Sequence, residues 1–192
     1  MKERLKIVQS EKFLTTKNLV RCALFAAMLC VLSPFSIPIG PIPITLSVFA
    51  VMLCAVVLET KLALVSVVVY ILLGLIGLPV FSAGKAGFSV LVGPTGGYIW
   101  SYILMVLPIG LMRKLPAENG VIRWVMSSVS CVLALVICYA AGTIQFMLLQ
   151  KCGFAYAISV CVIPFIPFDL CKAAVALILG TQIRQRITAF KQ

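Results

Sequence analysis

The 192-residue sequence contains no histidine and only five acidic residues, Glu3, Glu11, Glu59, Glu118 and Asp169, each far from the next. Without imidazole there is no histidine metal site, no Ser-His-Asp triad and no ordinary general base near neutral pH. Without neighbouring carboxylates there is no local oxygen cage for Ca²⁺ or Mg²⁺. The phosphate loop GxxxxGK[ST] is missing as well: Gly84-Lys85 comes nearest, but Pro79 stands in place of the first glycine and Ala86 follows the lysine. Hydrolytic, metal-dependent and ATP-hydrolysing enzymes are disfavoured, and no cofactor is expected.

Charge is scarce too. Only 11% of residues are charged and 62% are hydrophobic, with a mean hydropathy of +1.17. An average soluble domain is about a quarter charged and about half apolar. A water-soluble fold of this length has to cover roughly a third of its unfolded surface with groups that tolerate water, and this chain has too few. The composition is that of an integral membrane protein.

What charge there is amounts to +11, and its placement argues against a nucleic-acid partner. Lys2, Arg4, Lys6, Lys12, Lys17 and Arg21 crowd the beginning; Arg113, Lys114 and Arg123 form a second cluster; Arg184, Arg186 and Lys191 lie at the end. These are flanks of apolar runs. The runs fall at about 19–34, 42–58, 62–79, 94–112, 122–149 and 165–183, which predicts an all-α protein of six transmembrane helices. If residue 1 faces the cytoplasm, thirteen of the sixteen basic residues share that face, and only Lys85 and Lys151 lie outside. Both termini are therefore expected in the cytoplasm. Residues 1–18 read as a basic cytoplasmic segment rather than a cleaved signal, and 19–192 as a single transmembrane domain embedded in lipid. The eight cysteines, at 22, 30, 54, 131, 138, 152, 161 and 171, form no CxxC pair and read as packing groups.

The loops expected outside are apolar. Residues 33–45 hold four prolines and no charge, so they cannot form a regular helix and are expected to fold back as a lid. Residues 81–98 offer glycines where backbone approaches a ligand, with aromatics at both ends. Phe154 to Ile163 is too short to span and reads as a partly buried outer helix.

In the sixth run, Pro167-Phe-Asp-Leu-Cys-Lys172 places two charges inside the membrane. At 1.5 Å per residue, Lys172 lies about 18 Å and Asp169 about 22 Å from Arg184, in the outer half of roughly 30 Å of hydrocarbon. Each ion costs on the order of 2.5–3.5 kcal/mol at a helix centre, so such residues normally serve function. Their i, i+3 spacing makes them neighbours. Ala173, Ala176 and Gly180 continue that face, so the pair should point into the bundle. One acceptor and one cation suit a small, largely apolar molecule with a carboxylate and N–H donors. The alternative is a self-neutralised pair that only fixes helix packing.

The ordered set Gly40-Pro-Ile-Pro-Ile-Thr-Leu46, Gly77-Leu-Pro-Val-Phe-Ser82, Gly93-Pro-Thr-Gly-Gly-Tyr98 and Pro164-Phe-Ile-Pro-Phe-Asp-Leu-Cys-Lys172 resembles the BioY family, over the chain from about residue 18 onward. These are biotin-binding S-components of energy-coupling factor (ECF) transporters. The resemblance implies a six-helix S-component fold in a prokaryotic cytoplasmic membrane and capture of biotin at an outward-facing site. It also implies a partner module of a transmembrane T-component and two ATPase subunits, which fits the missing phosphate loop. Carried over by motif, Asp169 and Lys172 are polar anchors, Gly96, Gly97 and Tyr98 the wall of the fourth span, and Phe81 and Thr45 loop contacts. The polar roles are open: Lys172 to the ligand carboxylate with Asp169 to the ureido N–H groups, or the reverse, or the carboxylate against the Gly93 to Gly97 backbone. Ala23-Leu-Phe-Ala-Ala27 supplies the AxxxA pattern by which S-components dock on the T-component. Two other readings of the chain are a stand-alone proton-coupled transporter of biotin or a related carboxylate, and a non-transporting assembly subunit. Copurified partners separate the first from the ECF reading, and a copurified ligand separates the second.

Overall fold

A computed structural model describes residues 15–38, 40–112 and 119–189. Lys2, Arg4, Lys6, Lys12, Arg113, Lys114 and Lys191 lie outside the described residues, as does most of the basic 1–18 segment. The elements run α1 (Thr16–Leu32), β1 (Ser36–Ile37), β2 (Ile44–Thr45), α2 (Ser47–Val57), α3 (Thr60–Leu75), a 3₁₀ turn (Ser82–Gly84), α4 (Phe88–Leu91), α5 (Gly96–Met112), α6 (Gly120–Gln150), α7 (Phe154–Cys161) and α8 (Ile166–Ala189). Each apolar window contains one of the longer helices. Two, Gly120–Gln150 and Ile166–Ile187, are long and apolar enough to cross a membrane by length and composition.

The window at 42–58 needs correction. Its helix begins only at Ser47 and ends at Val57, where Leu58 turns extended. Pro41 and Pro43 lack amide hydrogens, and the chain there is pinned into a hairpin instead, with Ser36 opposite Thr45 and Ile37 opposite Ile44. The resulting α2 is about 16 Å long, half of a hydrocarbon core. It is apolar all round because it is enclosed, with every residue but Phe49 buried. α8, α5, α1 and α3 pack around it.

Small residues set how closely these helices approach. A side chain at Gly180 would run into Val56 of α2, and one at Gly110 into Thr60 at the start of α3. The most extensive packing, between α5 and α6, depends on Gly97, whose Cα faces the Ala141 carbonyl. The outside of the bundle is apolar: Val121 is 74% exposed and Leu148 75%, with Leu24, Val31, Val136 and Ile144 similarly uncovered. Such a girdle suits lipid tails and not water.

Charged ends gather together. Arg184 near the end of α8 lies within electrostatic reach of Arg123 in the first turn of α6 and of Glu59 just before α3. Cys22 of α1 donates to the Leu62 carbonyl of α3 at 3.5 Å, and the Ser66 hydroxyl donates back to the Cys22 carbonyl at 3.1 Å. The start of α1, with Lys17 and Arg21, therefore belongs to that end. Lys85 and Lys151 follow the far ends of α3 and α6.

Candidate functional site

At the end of the bundle away from that basic cluster, the hairpin, the loop after α3, α5, α6 and α8 enclose a cavity. It holds about 800 Å³ of space not filled by protein atoms, part of it open to solvent. The hairpin folds inward as the sequence predicts, burying Ile42 and Ile44. The second loop is locked to the first: the Ala83 amide donates to the Pro34 carbonyl at 3.2 Å. To do so Ala83 takes a left-handed backbone (φ 56°), followed by Gly84 at φ 68°. Phe81 anchors the loop from behind, its ring seated on Gly74 and edge-on to Tyr70 with centroids 5.7 Å apart.

Asp169, in the first turn of α8, lines this cavity and is 2% exposed. Its Oδ1 accepts from Lys172 Nζ at 2.9 Å and its Oδ2 from the Tyr139 hydroxyl at 2.9 Å. Lys172 Nζ donates a second bond, to the Thr45 carbonyl at 2.8 Å. One buried chain of charge-assisted hydrogen bonds thus ties α6, α8 and the hairpin loop. Each carboxylate oxygen can accept a further bond, so Asp169 is compensated yet open to a donor entering the cavity.

Of the residues singled out from the sequence, Asp169, Tyr98 and Thr45 stand on the cavity wall. Lys172, Phe81, Gly96 and Gly97 do not. Lys172 lies behind Asp169 with two of its three donors engaged. Gly96 and Gly97 are packing positions, where a side chain would meet the Leu91 carbonyl and the α6 backbone respectively. The Tyr98 hydroxyl donates to the Cys161 carbonyl of α7 at 2.9 Å, leaving its ring to face the cavity. Gly142 of α6 makes room for that ring.

Sequence reasoning missed Tyr139, Tyr70, Tyr102 and Gln145. Four of the five tyrosines of the chain line the cavity, giving it rings with polar tips. Gln145 Nε2 donates to the carbonyls of Leu91 (3.0 Å) and Gly93 (2.8 Å), holding the glycine-rich turn before α5. The signal was available in part: Tyr139 and Gln145, in the mainly apolar second half of α6, need partners wherever they face inward. The cysteines are all free, and five are buried. Burial also pushes the Cys161 thiol above its ordinary range. Among the described residues no three potential metal ligands come together.

The BioY family model matches residues 2–189. The chain is 39% identical over 169 residues to the biotin transporter BioY of Thermotoga maritima, covering 88% of this chain and 96% of that one. It is 36% identical to the probable biotin transporter BioY of Pyrococcus horikoshii, over 88% and 96%. It is 34% identical to the biotin transporter BioY2 of Lactococcus lactis, over 85% and 87%. A crystal structure of the S-component for biotin from an ECF-type ABC transporter is similar with a TM-score of 0.79 at 26% identity, covering 88% of this chain and 91% of that one. With a family match over nearly its whole length and relatives this similar, the chain belongs to the BioY family.

Proposed function

We propose that this protein is the biotin-binding S-component of an ECF-type uptake transporter in a prokaryotic cytoplasmic membrane. The observation that carries the reading is Asp169, buried on the wall of an aromatic-lined cavity in a chain of this family. The tetrahydrothiophene ring of biotin suits the tyrosine faces, and its ureido N–H groups suit a compensated carboxylate with free lone pairs. Asp169, Tyr98 and Thr45 contact the ligand; Lys172, Phe81, Gly96 and Gly97 hold the wall in place. Six apolar segments cross the membrane, the second as the inward-folded hairpin strand followed by the half-length α2, with both termini cytoplasmic and the cavity opening outward, because the basic flanks gather at the opposite end. Residues 19–192 form one transmembrane domain, preceded by the basic 1–18 segment. Energy comes from a T-component and two ATPase subunits, since the chain has no phosphate loop of its own. A proton-coupled mechanism finds less support: among the described residues a single carboxylate lines the cavity, and its charge is held by the Lys172 ammonium rather than passed to a second carboxylate.

Protein purified in detergent and then denatured should release biotin, identified by mass spectrometry, and ligand-free protein should titrate with biotin at about 1:1. No heat and no change in tryptophan fluorescence on titration would sink the reading.

The partner surface is α1. Ala23 and Ala27 are both exposed, on a stripe shared with Val20, Leu24 and Val31. Small pairs in apolar helices usually pack within their own protein. These two face outward, toward a helix the chain does not supply. Replacing Ala27 by tryptophan should leave biotin binding within about twofold, since the stripe lies apart from the cavity. Uptake by cells expressing the complete transporter should fall at least about tenfold. Normal uptake with this variant would move the docking face elsewhere.

A further inference from the structure

Lys172 is the cation expected to receive a carboxylate, but its ammonium is engaged by Asp169 and the Thr45 carbonyl and it does not reach the cavity wall. The wall nevertheless carries a second cation. Lys85, in the loop after α3, lines the same cavity and is exposed. Beside it in the same turn is Ser82, also on the wall, whose Oγ is buried and has no hydrogen-bond partner. A buried hydroxyl left alone costs free energy that a ligand acceptor recovers.

We propose that Lys85 and Ser82 form the subsite for the carboxylate of the ligand, with Asp169 reading its N–H groups elsewhere on the wall. The assignment rests on the biotin reading above. The subsite is built before ligand arrives. The Phe81 amide donates to the Lys85 carbonyl at 3.0 Å, the Lys85 amide to the Ser82 carbonyl at 3.3 Å, and Ala83 is tied to Pro34 of the first loop. Ala83 and Gly84 both take left-handed backbone within the turn that the Lys85-to-Ser82 hydrogen bond closes. The wall thus carries a cation and an unpartnered hydroxyl three residues apart in one turn, and no acidic residue belongs to that turn. The polarity of the ligand follows: its ring system lies inward against Asp169 and the tyrosines, and its acid group remains at the rim beside solvent.

The test compares biotin with biotinamide, which lacks the charge, on detergent-purified parent protein, Lys85→Gln and Ser82→Ala, by titration calorimetry. Lys85 is exposed and the Ser82 side chain makes no bond, so both variants should fold as the parent does. Hydrogen bonds to a charged group lie at the strong end of the range, reduced here by partial exposure. Lys85→Gln should weaken biotin about tenfold and biotinamide less than twofold, and Ser82→Ala should weaken biotin about threefold with the same selectivity. Raising salt should weaken biotin for the parent and not for Lys85→Gln. Equal loss of both ligands in Lys85→Gln, or an unchanged ratio, overturns the carboxylate assignment while the biotin reading stands. Failure of the parent to bind either ligand overturns the biotin reading itself, and this assignment with it.

Discussion

Lys172→Met should destabilise the protein by about 3–5 kcal/mol, measured by chemical unfolding in detergent, because it leaves a buried carboxylate without its cation. The structure shows why the cost is high. Asp169 is 2% exposed and Lys172 only 14% at its side chain, so water cannot take over either role. The Tyr139 hydroxyl remains as a neutral donor, and it stabilises a charge far less than an ammonium does. The same substitution frees the Thr45 carbonyl, loosening the hairpin from α8. Adding Asp169→Asn to Lys172→Met removes the stranded charge while Tyr139 keeps an amide oxygen to donate to, so most of the stability should return. Biotin binding should not return, because the ureido group has lost its carboxylate. A double variant that folds and binds biotin normally would make the pair a packing device and place the ligand elsewhere.

The second large effect is expected where no charge is involved. Gly97→Ala adds one methyl group to the α5–α6 interface, facing the Ala141 carbonyl and with Gln145 Cβ at 2.9 Å. Backbone cannot turn aside as a side chain can, so the two longest-packed helices have to separate. A loss of about 3 kcal/mol is expected by the same unfolding measurement. Affinity for biotin should fall as well, since Tyr98 is the next residue of α5 and Gln145 holds the turn before that helix. Gly120→Ala is the control: nothing lies within 4 Å of the added carbon, and stability should stay within about 0.5 kcal/mol. Equal tolerance of the two substitutions would show that α5 and α6 are not in close contact at Gly97.

Local chemistry was legible in the chain. Composition places the protein in lipid, since 62% hydrophobic residues cannot be covered in water. Proline at 41 and 43 denies a helix to the first loop, and the loop is a hairpin. Asp169 and Lys172 meet because three residues on one helix make neighbours whatever surrounds them, and they do, at 2.9 Å. Motif order along the chain was sufficient to indicate the family.

Tertiary structure alone decided which of these residues face the cavity. Tyr139 reaches Asp169 across 30 residues of sequence, and Lys85 joins the same wall from a loop that composition marks only as glycine-rich. Gly96 and Gly97 lie against the Leu91 carbonyl and the α6 backbone, and α2 is an enclosed half-length helix rather than a long span. The reason is physical. A helix in lipid is apolar on its buried and exposed sides alike, so hydrophobic periodicity, which reports rotation about the axis in water-soluble bundles, carries little of that information here. Rotation and depth are set by where glycines let backbones touch and where buried polar groups find partners, and both are properties of pairs of helices rather than of any one segment.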